Sequence, residues 1–283
     1  MSELKQTTGR ASEFKEDFIL ERFKSKVVWD MAGSHWHNTH ELYFLLSGTR
    51  RYFVGHSIYN VSPGDLVIVP RNELHRTACH TQEHYDRIVV YFTDEFAATF
   101  YQQVGREAFE KFLHLGCVQL PLRQQERVRQ IFVKMEEERV RQDAYSQFMI
   151  SQLLCELIVL VLRHGNRSQK SADGNESKVL EAARYISDNY DQEISLQDAA
   201  QIACMESTYF SKCFKRVTGF GFHDYLTQTR LKKAEEFLRS SRLSISEISE
   251  SCGFLSSNYF GDVFKKCKGI SPRAYRQKYQ KNE

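Results

Sequence analysis

Two related stretches near the C-terminal end of the chain decide the fold: residues 207–219 are STYFSKCFKRVTG, and residues 257–269 are SNYFGDVFKKCKG. Each follows a short amphipathic segment that starts with a serine, Ser195 or Ser244, and has an acidic residue three positions later. That spacing is typical of a capping box at the start of a helix. Each copy therefore predicts a short helix, a tight turn and a second helix, which is the helix-turn-helix arrangement.

The second helix of each copy combines an aromatic face with a polar and basic face. The residues expected on the inner face of the first copy are Tyr209, Phe210, Phe214 and Val217. The outer face suits a DNA major groove, because hydroxyl and amide groups reach base edges and lysines reach phosphates. Asp262 stands where the first copy has Lys212, and it either accepts a hydrogen bond from cytosine or weakens contact with that half of the DNA. The predicted DNA-binding residues are Ser207, Thr208, Ser211, Lys212, Lys215, Ser257, Asn258, Gly261, Asp262 and Lys265.

The segment between the two copies, Phe222–Arg239, predicts one long helix of roughly 27 Å. A spacer of that order is suited to setting two recognition helices about one DNA turn apart, ~34 Å. From Ser177 to the end the chain has 17 lysines and arginines against 13 acidic residues, an excess that favours a polyanionic partner.

The region from Lys178 to Tyr279 resembles the DNA-binding domain of the AraC-type transcription regulators. The resemblance is carried by Arg230-Leu231-Lys232-Lys233-Ala234, Ile248, Cys252-Gly253-Phe254, Asn258-Tyr259-Phe260, Phe264-Lys265-Lys266, Gly269-Ile270-Ser271-Pro272 and Tyr275-Arg276. It implies seven helices in two subdomains, which place two recognition helices in adjacent segments of the major groove. It also implies double-stranded promoter DNA and RNA polymerase as partners, with activation more common than repression.

The N-terminal half, from about Lys26 to Tyr91, predicts a sandwich or barrel of short strands separated by turn residues. The runs rich in Val, Ile, Tyr and Phe are Leu42–Leu46, Tyr52–Val54, Leu66–Val69 and Arg87–Phe92. Two helical stretches follow, Leu122–Arg141 and Ala144–His164, which we expect to pack as an antiparallel pair. The second is so apolar that it must be buried, either against the N-terminal domain or against a second subunit.

Four residues of the predicted barrel form its candidate ligand site: His35, His37, Glu41 and His75. The first three share parity on an extended strand and therefore point to the same face. Their spacing, followed by Gly48, Pro63-Gly64-Asp65 and then the fourth residue, resembles the two cupin motifs. The side chains either hydrogen-bond a sugar-like or other polar effector, or bind Fe, Mn, Ni or Zn, or remain as an unused ancestral lining. Trp36 and His40, of opposite parity, are expected outside the barrel.

The predicted fold class is α+β: an N-terminal cupin-like β-barrel with a helical hairpin, then an all-α domain of two helix-turn-helix subdomains. Residues 1–165 would sense an effector and form a homodimer, residues 166–176 would be a linker, and residues 177–283 would bind DNA. Lacking a signal peptide and a long uncharged apolar run, the chain is expected to be cytoplasmic and without a membrane partner.

The favoured function is therefore an effector-controlled transcription regulator that is not an enzyme, has no catalytic residues and needs no cofactor apart from the optional metal. One alternative is a metal-dependent cupin, sensor or enzyme, fused to a DNA-binding domain. Another is a redox sensor that acts through Cys204, Cys213, Cys252 or Cys267. The seven cysteines form no C-x-x-C pair, which favours reduced, buried thiols.

Overall fold

A computed structural model describes residues 16–25, 35–79, 84–168, 172 and 174–280. The chain divides into two compact units, an N-terminal one built on Trp36–Ser171 and a C-terminal one built on Ala172–Glu283. This division lies within the segment 166–176 that was expected to be a linker. Both ends of that segment have regular structure, since Asn166–Arg167 forms a strand and a helix begins at Gly174.

The N-terminal unit contains nine strands in its described part. They are β1 (Phe18–Lys24), β2 (His40–Ser47), β3 (Arg50–Val54), β4 (Ser57–Val61), β5 (Leu66–Val69), β6 (His75–Cys79), β7 (Asp86–Phe92), β8 (Cys117–Gln119) and β9 (Asn166–Arg167). One sheet has the order β1-β7-β2-β5-β8-β9 and the other the order β4-β3-β6. Residues of both sheets, among them Tyr43 of β2 and Tyr52 of β3, pack into one common interior cluster. The predicted strand-rich barrel domain is confirmed.

β1 lies upstream of the predicted strand region and pairs antiparallel with β7 over its whole length, from Phe18 opposite Phe92 to Lys24 opposite Asp86. Its sequence, FILERFK, has charged residues at three of seven positions. Leu20, at 7% exposure, is the one residue of the strand that is buried. The alternation of apolar and polar residues is therefore weak. A strand that is fixed by its partner and not by its own pattern escapes sequence analysis.

Helices cover the outer face of the larger sheet. They are α1 (Ala98–Val104), α2 (Arg106–Leu113), α3 (Leu122–Arg141) and α4 (Ser146–His164). Leu42 and Phe44 of β2 point to this face and join one core with Phe109 and Phe132. Because side chains alternate along a strand, the residues between them face the barrel interior.

The hairpin of α3 and α4 has the predicted bounds to within two residues. α4 is the one helix in the described ranges that is long and apolar enough to cross a membrane, and half of its apolar window is buried. Leu154, Leu157 and Ile158 are at most 1% exposed within the chain itself. Part of the apolar surface of α4 is thus covered by the N-terminal unit, and burial of the rest against a second subunit stays a prediction.

The described part of the C-terminal unit contains seven helices, as the resemblance implied. They are α5 (Gly174–Asp188), α6 (Leu196–Ile202), α7 (Ser207–Thr218), α8 (Phe222–Ser240), α9 (Ile245–Ser251), α10 (Ser257–Lys268) and α11 (Pro272–Gln280). Both predicted capping boxes form: Ser195 with Asp198 at α6, and Ser244 with Glu247 at α9. α6 with α7 and α9 with α10 are the two helix-turn-helix pairs.

The turns of the two pairs differ in one detail. Gly253 in the second turn has φ +74°, and Cys204 takes the left-handed conformation in the first, with φ +51°. A residue with a Cβ costs about 1–2 kcal/mol there, whereas glycine does not. The chain needs three residues from Cys204 to the start of α7 but four from Gly253 to the start of α10. The second turn is thus one residue longer.

The loop Tyr190–Gln192 after α5 connects the two pairs. Arg230 of α8 donates from Nε to the carbonyl oxygen of Tyr190 at 2.7 Å and from Nη2 to that of Gln192 at 2.8 Å. Gly253 approaches the same loop so closely that a Cβ would lie 2.7 Å from the carbonyl oxygen of Asp191. One loop therefore contacts both the long helix and the second turn.

Candidate DNA-binding surface and ligand site

The outer faces of α7 and α10 carry the predicted DNA-binding residues. Those that are exposed are Thr208, Lys212, Lys215, Asn258, Asp262 and Lys265, and those that are partly exposed are Ser207, Ser211, Ser257 and Gly261. Lys212 and Asp262 occupy equivalent exposed positions, so the difference in charge between the two helices is a surface property. Within the described C-terminal unit, none of these ten residues is hidden from a partner.

The prediction for Tyr209 is wrong. Phe210, Phe214 and Val217 are buried as expected, but Tyr209 is 48% exposed. Phe210 and Phe214 already define the inward stripe of α7, and a residue one step before that stripe is rotated by about 100° toward solvent. The Tyr209 hydroxyl accepts a hydrogen bond from Nδ2 of Asn175 at 3.0 Å.

Tyr259, the equivalent of Tyr209 in α10, is also exposed, at 51%. The two tyrosines therefore belong to the outer faces and add aromatic rings to the candidate DNA-binding surface. The i, i+4 spacing of Phe210 and Phe214, and of Phe260 and Phe264, marks the buried side of each helix. That signal in the sequence would have placed the two tyrosines on the exposed side.

The candidate ligand site of the barrel forms where the two sheets meet. The potential ligand atoms of His35, His37, Glu41 and His75 all lie within 4.8 Å of one another. The last three residues are at most 3% exposed. Glu41 comes from β2 of the larger sheet and His75 from β6 of the smaller one. The four residues that the sequence grouped are thus brought together.

A turn fixes the two buried histidines. Asn72 has φ +59°, and its backbone N–H donates to the carbonyl oxygen of His37 at 2.7 Å. Nδ1 of His37 lies 2.8 Å from the carbonyl oxygen of Thr39, and Nδ1 of His75 lies 2.8 Å from that of Glu73. A carbonyl oxygen can only accept, so Nδ1 carries the proton in both rings.

Both Nε2 atoms therefore face the carboxylate. Nε2 of His37 is 3.1 Å and Nε2 of His75 is 3.4 Å from Oε2 of Glu41. The hydroxyl of Tyr52 donates to Oε1 of Glu41 at 2.5 Å. A neutral imidazole with its proton on Nδ1 presents a lone pair at Nε2, so a cation is required between these rings and the carboxylate, either a proton or a metal ion.

Burial and hydrogen bonding set the charges at the site. Burial lowers the pKa of His37, and its contact with the Glu41 carboxylate opposes part of that shift. Burial alone would raise the pKa of Glu41, but the hydrogen bonds from His37 and His75 hold that pKa well below its usual value. Glu41 is consequently a carboxylate at neutral pH, fixed at one end of the barrel interior.

His40 and Trp36 are not at the surface. They are 1% and 4% exposed. His40 does point away from the interior, but α2 covers that face, and its ring packs 5.6 Å from the Phe109 ring. Nδ1 of His40 accepts from the backbone N–H of Arg71, and Nε2 lies 2.9 Å from Oδ1 of Asp94. His40 is therefore a structural residue.

Sequence analysis missed several polar residues that line the same interior. Tyr52 and Arg50 of β3, and Tyr91 and Arg87 of β7, have the parity of interior residues such as Val89. Alternation along each strand would have found them, but only once the inward face was known. Arg50 is fully buried, and its Nε donates to Oγ1 of Thr77 at 3.1 Å.

Comparison with known protein families gives two matches. Residues 24–158 match the family described as AraC-like ligand binding domain, and residues 199–278 match a helix-turn-helix domain. The first region contains the candidate ligand site and the second contains both recognition helices.

Curated relatives match as well. The regulatory protein PocR of Salmonella typhimurium is 33% identical over 117 residues, which make up 41% of this chain and 39% of that protein. The HTH-type transcriptional activator RhaR of Cronobacter sakazakii is 31% identical over 53% of this chain and 54% of its own. The chain thus spans about half or less of the length of these two. RhaS of Enterobacter sp., also named a transcriptional activator, is 26% identical over 86% of this chain and 87% of its own.

Proposed function

The chain belongs to the AraC-type family, and on that premise we propose that it is a DNA-binding transcription regulator whose activity a small-molecule effector controls. The observation that carries the proposal is the pair of recognition helices, α7 and α10, with polar and basic residues on their exposed faces. Its partner is the double-stranded DNA of a promoter, with activation, through RNA polymerase, as the expected outcome.

DNA recognition divides between two kinds of residue. Lys212, Lys215 and Lys265 reach phosphates, which supplies affinity without sequence preference. The short side chains of Ser207, Thr208 and Asn258 face base edges and supply the sequence preference. Asp262 lowers the positive charge of α10, so we expect α7 to supply the larger electrostatic share.

Footprinting on the promoter region next to the gene, at two salt concentrations, tests this function. Two protected segments of the major groove, about one turn (~34 Å) apart, are expected. The absence of sequence-specific protection at both salt concentrations would sink the proposal.

The effector site is the barrel interior around Glu41. Its carboxylate and the two imidazoles offer directional hydrogen bonds beside a cluster of valines and tyrosines, and apolar walls with a few polar groups are usual in a small-molecule site. The effector acts by binding, and no residue of the chain is assigned a catalytic role. We infer that the regulator works in the cytoplasm, where its DNA lies, and without a membrane partner.

A divalent metal ion in the same cluster is the second candidate. The observation that favours it is the pair of Nδ1 protons held by backbone carbonyls, which leaves both Nε2 atoms directed at Glu41. Metal-bound histidines have this arrangement, and the Tyr52 hydroxyl on the other carboxylate oxygen supplies the outer support that such sites need. Imidazole and carboxylate donors suit Fe, Mn, Ni or Zn. His35, His37, Glu41 and His75 would hold the ion, which would supply Lewis acidity toward oxygen atoms of an effector or a substrate.

A homodimer is the proposed assembly. The loop end of the helical hairpin, where α3 is joined to α4, exposes apolar side chains, with Val140 at 71%, Tyr145 at 73% and Phe148 at 62%. Sedimentation of the full chain tests the assembly: Phe148→Asp should shift a dimer to a monomer, while Val104→Asp, an exposed position on α1, should not. A wild-type chain that sediments as a monomer would refute the dimer.

A further inference from the structure

Two arginines face the interior of the barrel, at the end opposite to Glu41. Arg87 of β7 stands opposite Phe23 of β1 and Leu45 of β2, and it shares its face with Val89 and Tyr91. Arg50 of β3 is fully buried. A guanidinium is always charged in a protein, so this end of the interior carries fixed positive charge.

Aromatic rings surround both guanidinium groups. Cζ of Arg50 lies 4.3 Å from the centre of the Tyr85 ring, and Cζ of Arg87 lies 5.8 Å from the same ring and 5.2 Å from the Tyr43 ring. Such contacts offset part of the cost of desolvating a cation. They leave the preference of the Arg87 guanidinium for a planar anion unused.

No carboxylate of the described residues forms an ion pair with Arg87, and its buried Nε has no hydrogen-bond partner among them. Glu41 is held by His37, His75 and Tyr52 at the other end. Glu21 of β1 acts on Arg87 only as a longer-range charge. Arg87 is therefore a cation without a contacting counter-ion inside a ligand-binding domain.

We propose that the effector is a small organic acid whose carboxylate binds to Arg87, with Arg50 adding positive charge beside the Tyr85 ring. This inference rests on the proposed function, since it names the chemical class of the effector for the same interior. The tyrosine rings would contact its carbon skeleton, and the cluster around Glu41 would receive hydroxyl groups or a bound metal at its other end. A neutral sugar would leave Arg87 without a counter-ion and is disfavoured.

Arg87→Met tests the assignment, with Arg22→Met as the matched control. Methionine keeps the length and apolar body of the side chain but removes the charge. Arg22 forms a two-point ion pair with Asp86, whose side chain is 8% exposed, so its loss strands a buried carboxylate. We expect the melting temperature of the ligand-free full chain to stay level or to rise by ~2–4 °C for Arg87→Met and to fall for Arg22→Met. A fall for Arg87→Met as large as that for Arg22→Met would overturn the inference, because Arg87 would then be structural.

A panel of probes gives the second readout. It consists of hydroxy, dicarboxylic and aromatic acids, each paired with its amide, together with phosphate monoesters and neutral sugars. At least one acid should raise the melting temperature of the wild type while its amide does not, and Arg87→Met should weaken its binding on the order of 100-fold. Arg22→Met should bind that acid as the wild type does.

The other outcomes contradict the carboxylate. Equal stabilisation by an acid and its amide, stabilisation by sugars or phosphate monoesters alone, or no response to any acid would each overturn it. Footprinting of the wild type on promoter DNA, done on the same preparation, decides the proposed function separately. A protein that protects DNA but fails the acid tests keeps the function and loses this inference.

Discussion

Nε2 of His37 lies 3.1 Å from Oε2 of Glu41, four residues along the chain, and both side chains are almost completely buried. The carbonyl oxygen of Thr39 accepts a hydrogen bond from Nδ1 of the same ring, so the contact between Nε2 and Glu41 needs a cation. The identity of that cation separates the two candidate uses of the site. A proton at this position fits an effector site without metal, and a metal ion fits the divalent metal site.

Metal binding gives the first prediction. If the second candidate holds, the full chain dialysed against Zn²⁺ or Ni²⁺ and then against buffer should keep about one ion per chain, measured by elemental analysis. His75→Gln should lose the ion, and Tyr52→Phe should bind it roughly 10–100-fold more weakly because Glu41 loses its support. His114→Gln, at an exposed position just after α2, is the control. Equal metal content in the wild type and His75→Gln would rule out a metal site at this cluster. It would also rule out the alternative of a metal-dependent cupin enzyme.

The lysines of α7 give the second prediction. Lys212→Ala with Lys215→Ala should weaken binding to promoter DNA and lower the slope of log affinity against log salt by about 2, one for each phosphate contact. Lys111→Ala with Lys134→Ala removes two exposed lysines from the other unit and should leave the slope unchanged. Gel-shift titrations at several salt concentrations measure it. A double variant with the wild-type slope would exclude α7 from the phosphate contacts.

The charge difference between the two recognition helices gives the third prediction. Asp262→Lys restores on α10 the residue type that Lys212 provides on α7. If Asp262 only repels phosphates, the variant should bind all DNA sequences more tightly and steepen the salt slope by about 1. A loss of discrimination at one G·C base pair, without a steeper slope, would instead show that Asp262 reads cytosine.

Two glycines with the same backbone conformation give the fourth prediction. Gly253 and Gly269 both have φ +74°, but a Cβ at Gly269 would meet no atom within 4 Å, whereas one at Gly253 would meet the carbonyl oxygen of Asp191. Gly269→Ala should lower the free energy of unfolding by about 1–2 kcal/mol. Gly253→Ala should cost roughly 1–3 kcal/mol more. Urea unfolding of the full chain measures both, and equal losses would mean that the loop moves aside freely.

The thiols give the fifth prediction. Burial raises the pKa of the Cys252 thiol to about 12, and Cys213 is buried, whereas Cys204 is exposed. At pH 8 iodoacetamide should therefore modify Cys204 well before Cys213 or Cys252, as peptide mass spectrometry would show. Mild peroxide should leave DNA binding unchanged. Loss of binding that dithiothreitol restores would revive the redox sensor.

The predictions from the sequence were most accurate for features that depend only on contacts between residues close together in the chain. The capping boxes at Ser195 and Ser244, and the long helix α8, depend on contacts within a few residues, so their pattern is complete in the sequence. The cluster around Glu41 was also found by the parity argument, although His35 and His37 lie upstream of β2, which begins at His40. What escaped depended on partners distant in the chain.

The missed features share that physical cause. β1 is a strand because β7 pairs with it, and the burial of His40 follows from α2 lying over its face. Arg87 has the parity of an interior residue, but nothing in its own strand says which face is inward. Tyr209 is the exception with a local cause: neighbouring residues on a helix are rotated by about 100°, so Tyr209 and Phe210 cannot both face the core of the unit.

The loop Tyr190–Gln192, held by Arg230 on one side and by the close approach of Gly253 on the other, has a consequence for the genome that this protein would read. Because the two helix-turn-helix pairs share that anchor, the distance between their targets is set by the protein and not by the DNA. Inserting about five base pairs between the two recognition elements would turn the second element to the opposite side of the duplex. Such an operator would tolerate substitutions at single positions far better than a change in its length.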